Sequence, residues 1–186
     1  MRLSALLLRA GLFAAVLPLA ACGGDGSGPD RLSPDEVAGV YNLCELRFAP
    51  TNNVLPVANL LTAVVDTTPP AGRPEATISI ANGVYDLVYT AGGNAFLRQL
   101  QGSVDYGATS VTLSTPEENV VVKELLLPTP LTLTFAAGTP RILATQTSFT
   151  YAVDREDYAR AIGSSGQGLA ATITGNAVIG MSTGPC

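Results

Sequence analysis

The clearest pattern in the chain is an alternation of apolar and polar residues with a period of two, broken by turn residues at intervals of roughly ten. Thr, Val, Leu and Tyr are enriched in these runs, as in half-buried strands. The runs that predict strands are 40–48, 76–80, 85–89, 96–106, 110–114, 120–127, 131–135, 141–153 and 169–181. A further apolar run, 57–65, is of uncertain type.

Two short motifs predict how the chain enters and joins these strands. Asn82-Gly83 separates two alternating runs and predicts a tight hairpin, because both residues accept a positive φ. Ser33-Pro34-Asp35-Glu36 predicts a capping box that starts one helical turn, because Ser33 and Glu36 can each bond the other's backbone amide. Gly39 follows at once, so the turn leads directly into a strand.

The densest ionisable cluster, residues 154–160, has two interpretations. Asp154 can cap a short helix near 154–162, with Glu156 and Arg160 paired at i,i+4. The alternative is a calcium site formed by Asp154, Glu156 and Asp157, but calcium needs six or more oxygen ligands and usually a glycine turn. The helix is the preferred reading, and we expect neither a metal site nor a cofactor.

The short connections between runs favour an all-β fold, an antiparallel meander of about eight to nine strands closed into a barrel. The arrangement resembles the lipocalin-like, calycin-type barrels in its capped turn before a Gly-x-aromatic strand start, Gly39-Val40-Tyr41, and in its strand order. A third likeness is an early cysteine available to tie down the C-terminal end. In lipocalins a Trp at the position of Tyr41 packs under an arginine, here Arg155 or Arg160 by resemblance.

The inward face of the first strand determines which side chains a ligand would meet. If Tyr41 points inward, alternation places Glu45 and Arg47 on the same side, as ligand-contacting groups. A bulge near Asn42 or Cys44 would instead make both ordinary surface charges. The candidate ligand-binding residues are Tyr41, Glu45, Arg47, Tyr85, Tyr89, Phe96, Phe149 and Tyr151. The aromatic members of this set equally suit a packed core.

Composition excludes several kinds of chemistry. The chain has no histidine, so it has no Ser-His-Asp or Cys-His site and no His-ligated zinc. Its 10 Lys and Arg are scattered singly among 15 Asp and Glu, and nucleic acid is not an expected partner. Paired carboxylates could act in a glycosidase-like hydrolase, but nothing places two on facing strands, and Lys123-Glu124 has the pattern of a surface couple.

The N-terminal 22 residues have the pattern of an export signal. Arg2 and Arg9 precede a short apolar run, and Leu19-Ala20-Ala21-Cys22 resembles the lipobox of bacterial lipoproteins, in which the cysteine is acylated and becomes the first residue. The resemblance implies a signal peptide over 1–21, a flexible tether over 22–32 and a single barrel domain over 33–186. Loss of Arg2 and Arg9 leaves 8 basic and 15 acidic residues, a net charge of −7.

With Cys22 assigned to lipid, the remaining two cysteines form an even pair in an oxidising compartment. Cys44 and Cys186 are therefore expected to form a disulfide. The alternative is a buried thiol at Cys44 and a frayed terminus at Cys186. The disulfide would close a loop of about 140 residues and contribute about 4 to 5 kcal/mol in the chain-entropy model.

These observations predict a non-enzymatic lipoprotein of the cell envelope, anchored to a membrane by its N-terminal lipid. Gly23 after the lipidated cysteine favours an outer membrane position facing the periplasm. The first hypothesis is that the barrel binds a small apolar or amphipathic ligand, by analogy of fold. The second is a structural or interaction role, with a packed barrel presenting its loops to an envelope protein; a carboxylate-dependent hydrolase comes third.

Overall fold

The computed structural model describes residues 30–66, 76–93, 96–116, 119–145 and 150–186. Its strands are β1 (Gly39–Pro50), β2 (Ala58–Asn59), β3 (Ala76–Ala81), β4 (Val84–Ala91), β5 (Phe96–Tyr106), β6 (Ser110–Ser114), β7 (Leu131–Ala136), β8 (Ile142–Ala144), β9 (Thr150–Asp154) and β10 (Thr172–Ser182). Its helices are α1 (Pro34–Val37), α2 (Leu60–Ala63), α3 (Val120–Glu124) and α4 (Arg155–Ala161).

Eight antiparallel strands close into a barrel, which confirms the predicted all-β meander. The wall runs β1, β3, β4, β5, β6, β7, β8 and β10, and β10 returns to pair with β1. The short strands β2 and β9 extend this wall at one end, beside β1 and β10. We call the end that carries α1 the lower end and the end that carries α3 and α4 the upper end.

The lower end is built by the local motifs that the sequence predicted. The Ser33 amide donates to the Glu36 carboxylate at 2.7 Å and the Ser33 hydroxyl does so at 3.0 Å, and these two bonds lower the pKa of Glu36. The Glu36 amide bonds back to the Ser33 side chain and completes the capping box. Asn82 and Gly83 have positive φ values of 53° and 76° and join β3 to β4. Leu32 donates its backbone amide to Gly107 at 2.8 Å, so the N-terminal segment meets the barrel at this end.

Strand β1 contains the bulge that the sequence left as an alternative. Its pairing with β10 shifts register between Leu43 and Glu45. Tyr41 and Leu43 face the core before the bulge, and Leu46 and Phe48 face it afterwards. Glu45 and Arg47 therefore lie on the outer surface, where they form an ion pair with each other.

Two strand predictions are corrected by the structure. Residues 120–127, predicted as a strand, contain α3 instead; the Asn119 side chain accepts from the Val121 amide at 2.8 Å and caps the helix. Burial of Val121, Val122 and Leu125 follows helical spacing, so packing outweighs their strand propensity. Residues 141–153, predicted as one strand, are divided into β8 and β9, which lie along the same edge of β10. The ambiguous run 57–65 contains β2 and α2.

A disulfide joins Cys44 to Cys186, with Cα atoms 5.2 Å apart. This confirms the predicted pairing. The bond links the bulge of β1 to the last residue of the chain across a sequence separation of 142. Since Asn42 also donates its side-chain amide to the carbonyl of Gly184 at 2.9 Å, the C-terminal segment is fastened to β1 at two points.

Candidate functional site

The interior of the barrel is filled by its own side chains. Tyr41, Leu87, Leu100, Leu133 and Leu143 are each no more than 2% exposed. Among the described residues, a void enclosed between the strands and the plug measures about 20 Å³ and has an apolar lining. Pockets for small molecules typically measure about 300 to 1,000 Å³, so this void has room for little more than one water molecule.

The upper end of the barrel is closed by residues 119–130, which we call the plug. The plug connects β6 to β7 and contains α3. Val121, Leu125 and Leu126 in it are buried, and Leu125, Leu127 and Pro128 line the residual void. The plug therefore occupies the position through which a ligand would enter a hollow barrel.

A cluster of three polar side chains holds the plug against the barrel wall. Arg98 on β5 donates two hydrogen bonds to the Glu124 carboxylate, one of 2.9 Å from Nε and one of 2.7 Å from Nη2. Tyr89 on β4, fully buried, donates its hydroxyl to the same carboxylate at 2.8 Å. Phe96 stacks on the Arg98 guanidinium at 5.2 Å from the ring centroid. The hydrogen bonds to Glu124 raise the pKa of Arg98, so the guanidinium stays charged.

Five tyrosines, which we call the core tyrosines, brace the fold with their hydroxyl groups or rings. They are Tyr41, Tyr85, Tyr89, Tyr151 and Tyr158. Tyr41 donates to the carbonyl of Val37 at 2.6 Å, and Tyr158 donates to that of Pro56 at the same distance. Burial raises the pKa of all five phenols, and at Tyr89 the bond to Glu124 adds to the shift. With raised pKa values the five phenols stay protonated at neutral pH, and Tyr41, Tyr89, Tyr151 and Tyr158 each donate a structural hydrogen bond.

The barrel wall is split on the side of β9. Strand β8 pairs with β7 over three residue pairs at the lower end, while β9, nearer the upper end, pairs within the described residues with β10 alone. A surface groove of about 610 Å³ lies beside β9. β9 and Asp157 border it on one side, and the plug with Thr132 borders it on the other. Tyr151 crosses the floor and donates to the carbonyl of Leu126 at 2.5 Å.

The predicted ligand-binding residues do not form one site. Tyr41, Tyr85 and Tyr89 are packed in the core, and Tyr151 joins it at the floor of the groove. Phe96 lies at the upper rim and is 55% exposed. Glu45 and Arg47 are outside the barrel, as described above. Phe149 and Cys22 lie outside the described residues.

The acidic cluster forms the predicted short helix, but not with the predicted contacts. Asp154 occupies the cap position of α4 without a side-chain bond to the helix amides. Arg160 forms its ion pair with Asp157, not with Glu156. Across the described ranges, no group of three or more His, Cys, Asp and Glu side chains is placed to hold a metal ion.

Sequence reasoning missed the cluster of Tyr89, Arg98 and Glu124. Lys123-Glu124 has the pattern of a surface couple, yet the Glu124 side chain is only 16% exposed and bonds to Arg98, 26 residues earlier in the chain. No local pattern connects these two positions. The only available signal was that Glu124 is a charged residue within an apolar run.

Comparison of the chain with family models, curated proteins and solved structures finds no match. No helix among the described residues is both long enough and apolar enough to cross a bilayer. The fold and the groove therefore carry the functional argument by themselves.

Proposed function

We propose that this protein is a lipid-anchored component of the bacterial cell envelope, whose barrel is a rigid, non-catalytic scaffold that presents its upper end to a protein partner. The observation that carries the proposal is the filled interior, with a void of about 20 Å³. A barrel that stored an apolar ligand would need a cavity more than ten times larger. A packed barrel instead provides a stable surface.

The anchor and the position of the chain entry together orient this surface. Lipidation at Cys22 would leave eight peptide units between the lipid and Asp30, about 28 Å when fully extended. The chain then meets the lower end, where the Leu32 amide bonds to Gly107. The lower end would therefore lie near the membrane, and the plug and the groove would face away from it. Gly23 after the cysteine supports an outer membrane position facing the periplasm.

The cluster at Glu124 supports the scaffold role over transport of a ligand. An apolar ligand could enter only if the plug were displaced, which would break two bonds from Arg98 and leave the buried Tyr89 hydroxyl unpaired. Leaving a buried hydroxyl without a partner costs about 1 to 3 kcal/mol. The plug is thus held shut by interactions that a ligand would have to replace.

Occupancy of the barrel tests the scaffold proposal directly. The protein is purified from a bacterial host and examined by native mass spectrometry and by titration with a fluorescent fatty acid. The expected result is a single unliganded mass and no saturable binding. Leu87→Ala, which enlarges the residual void, is the control for detection of interior binding. Stoichiometric lipid in the unaltered protein, released by Leu87→Phe, would overturn the scaffold proposal in favour of ligand binding.

The anchor is tested separately. Cys22→Ala should be left unprocessed or released to the soluble fraction, whereas the parent partitions into the detergent phase and incorporates a labelled fatty acid. Cys186→Ser is the matched control, since it removes a different cysteine and should still be acylated. If Cys22→Ala partitions and incorporates label like the parent, the anchor proposal is wrong.

A further inference from the structure

The side of β9 that faces the groove has backbone groups free to take another strand. Arg155 donates its amide to the carbonyl of Ala171 at 3.0 Å, which sets the alternation of the β9 and β10 ladder. In that alternation Tyr151 and Val153 bond to β10. The amides and carbonyls of the intervening residues, with Ala152 at the centre, therefore point away from β10 and towards the groove.

The opposite wall of the groove has two prolines where a pairing strand would need backbone N–H donors. Pro128 and Pro130 lie in the plug segment across from β9, and neither has a backbone N–H. The Tyr151 hydroxyl donates from β9 to the Leu126 carbonyl of this wall, which is a side-chain bond and does not form part of a strand ladder. Among the described residues, the barrel wall therefore has a gap between the plug and the edge of β9 that does not pair with β10.

The charged side chains that line the groove favour a ligand without net negative charge. Asp154 is exposed at the end of β9, and Asp157 borders the same space and is paired with Arg160. Lys123 on the plug is the basic residue in the lining. The lining therefore carries more acidic than basic side chains, on a chain whose net charge is already −5. Apolar side chains of Val122, Leu126 and Tyr151 contribute to the rest of the surface.

We propose that β9 takes up an extended, neutral to basic peptide segment of a partner protein as an added strand in this groove. The inference rests on the proposed partner-presenting function and names its binding mode. Backbone bonds to the unpaired edge supply sequence-independent affinity, as in other cases of strand addition. Alternate side chains of the peptide face the apolar floor, and basic ones meet Asp154.

Selection from a random dodecapeptide library displayed on phage, with the full chain immobilised, tests the inference. Enriched peptides should alternate apolar with polar residues and carry no net negative charge. Ala152→Pro deletes the central edge amide but no bond to β10. It should lower the affinity for these peptides about fivefold to tenfold, which is the effect of one backbone hydrogen bond. Ala152→Ser keeps the amide and should bind within about twofold of the parent.

Amide hydrogen exchange on the unaltered chain provides a second readout in case Ala152→Pro fails to fold. The Ala152 amide should become protected when a selected synthetic peptide is added, whereas the Val153 amide, already bonded to β10, should change little. Failure to enrich any peptide, or equal binding to Ala152→Pro with no new protection at Ala152, would overturn the inference. A dimer of the free chain that Ala152→Pro dissociates would overturn it in favour of a second copy.

These outcomes are independent of the tests of the proposed function. A hollow, lipid-filled barrel or a non-acylated Cys22 would defeat the scaffold or the anchor without changing peptide binding at β9. Conversely, an empty peptide selection on a packed, lipid-anchored barrel would leave the scaffold in place and remove only strand addition as its binding mode.

Discussion

Removal of the Glu124 carboxylate tests whether the plug is held shut by its polar cluster. In Glu124→Ala, Arg98 loses both partners in its paired hydrogen bonds and Tyr89 loses the acceptor for its buried hydroxyl. Alanine is the best helix former, so α3 itself does not lose intrinsic stability. The change in the free energy of unfolding therefore reports the cluster.

The expected loss follows from the burial of each partner. The Tyr89 side chain is fully buried, and an unpaired buried hydroxyl costs about 1 to 3 kcal/mol. The Arg98 side chain is 30% exposed and can regain water, so its share is about 1 kcal/mol and not the 3 to 5 kcal/mol of a fully buried pair. We expect Glu124→Ala to lower the free energy of unfolding by about 2 to 4 kcal/mol. Glu124→Gln, which keeps an acceptor for Tyr89, should lose less.

Urea unfolding followed by far-ultraviolet circular dichroism measures these values, since the chain has no tryptophan to serve as a probe. Val120→Ala is the control in the same helix, because Val120 is 55% exposed and makes none of these bonds. A double-mutant cycle with Tyr89→Phe isolates the tyrosine contribution. A loss below about 0.5 kcal/mol in Glu124→Ala, equal to that in the control, would refute the role of the cluster.

Three further predictions concern the stability of the barrel. Replacing both Cys44 and Cys186 by Ser should lower the free energy of unfolding by up to about 5 kcal/mol, because the disulfide spans 142 residues. Dithiothreitol should destabilise the parent by a similar amount and leave the variant unchanged. Equal stability of parent and variant without reductant would contradict this. Gly102→Ala should lower the free energy of unfolding by about 1 to 3 kcal/mol or more, because its new methyl group would lie 2.2 Å from the carbonyl oxygen of Ser114. Gly180→Ala is the control, since its methyl group would meet no atom closer than 3.4 Å. Similar melting temperatures of the two variants would count against the close contact. The core tyrosines have raised pKa values in the folded protein, so their contribution to the free energy of unfolding is complete below about pH 10. As the pH rises further, each phenol should lose up to about 1.4 kcal/mol of this contribution per pH unit. Urea midpoints that stay level from about pH 9.5 to 11.5 would refute this.

Features set by residues close together in the chain were predictable from sequence. The capping box of Ser33 and Glu36 and the hairpin at Asn82-Gly83 form as expected, because each depends on backbone geometry and hydrogen bonds within four residues. The all-β meander followed from alternation and short connections. The disulfide was predicted by counting cysteines, because the expected acylation of Cys22 left Cys44 and Cys186 as one pair.

Features set by residues distant in the chain required the tertiary structure. Residues 120–124 form a helix because their apolar side chains close the barrel end, where burial outweighs the strand propensity of valine. The bulge at Cys44 turns Glu45 outward because the inward positions beyond it are filled by Leu46 and Phe48. The alternation of apolar and polar residues does not by itself determine which face of β1 is turned to the core after residue 44.

The same distinction applies to function. By itself the sequence determined an acidic chain without histidine and indicated a barrel of antiparallel strands, because these are properties of composition and of local order. The export signal and the acylation of Cys22 stay predictions from a local resemblance. Whether the barrel was hollow depended on how side chains from every strand and the plug meet in one volume, and this only the tertiary structure decided. That β9 pairs with β10 alone among the described strands likewise depends on a division between β8 and β9, which the continuous run 141–153 did not reveal.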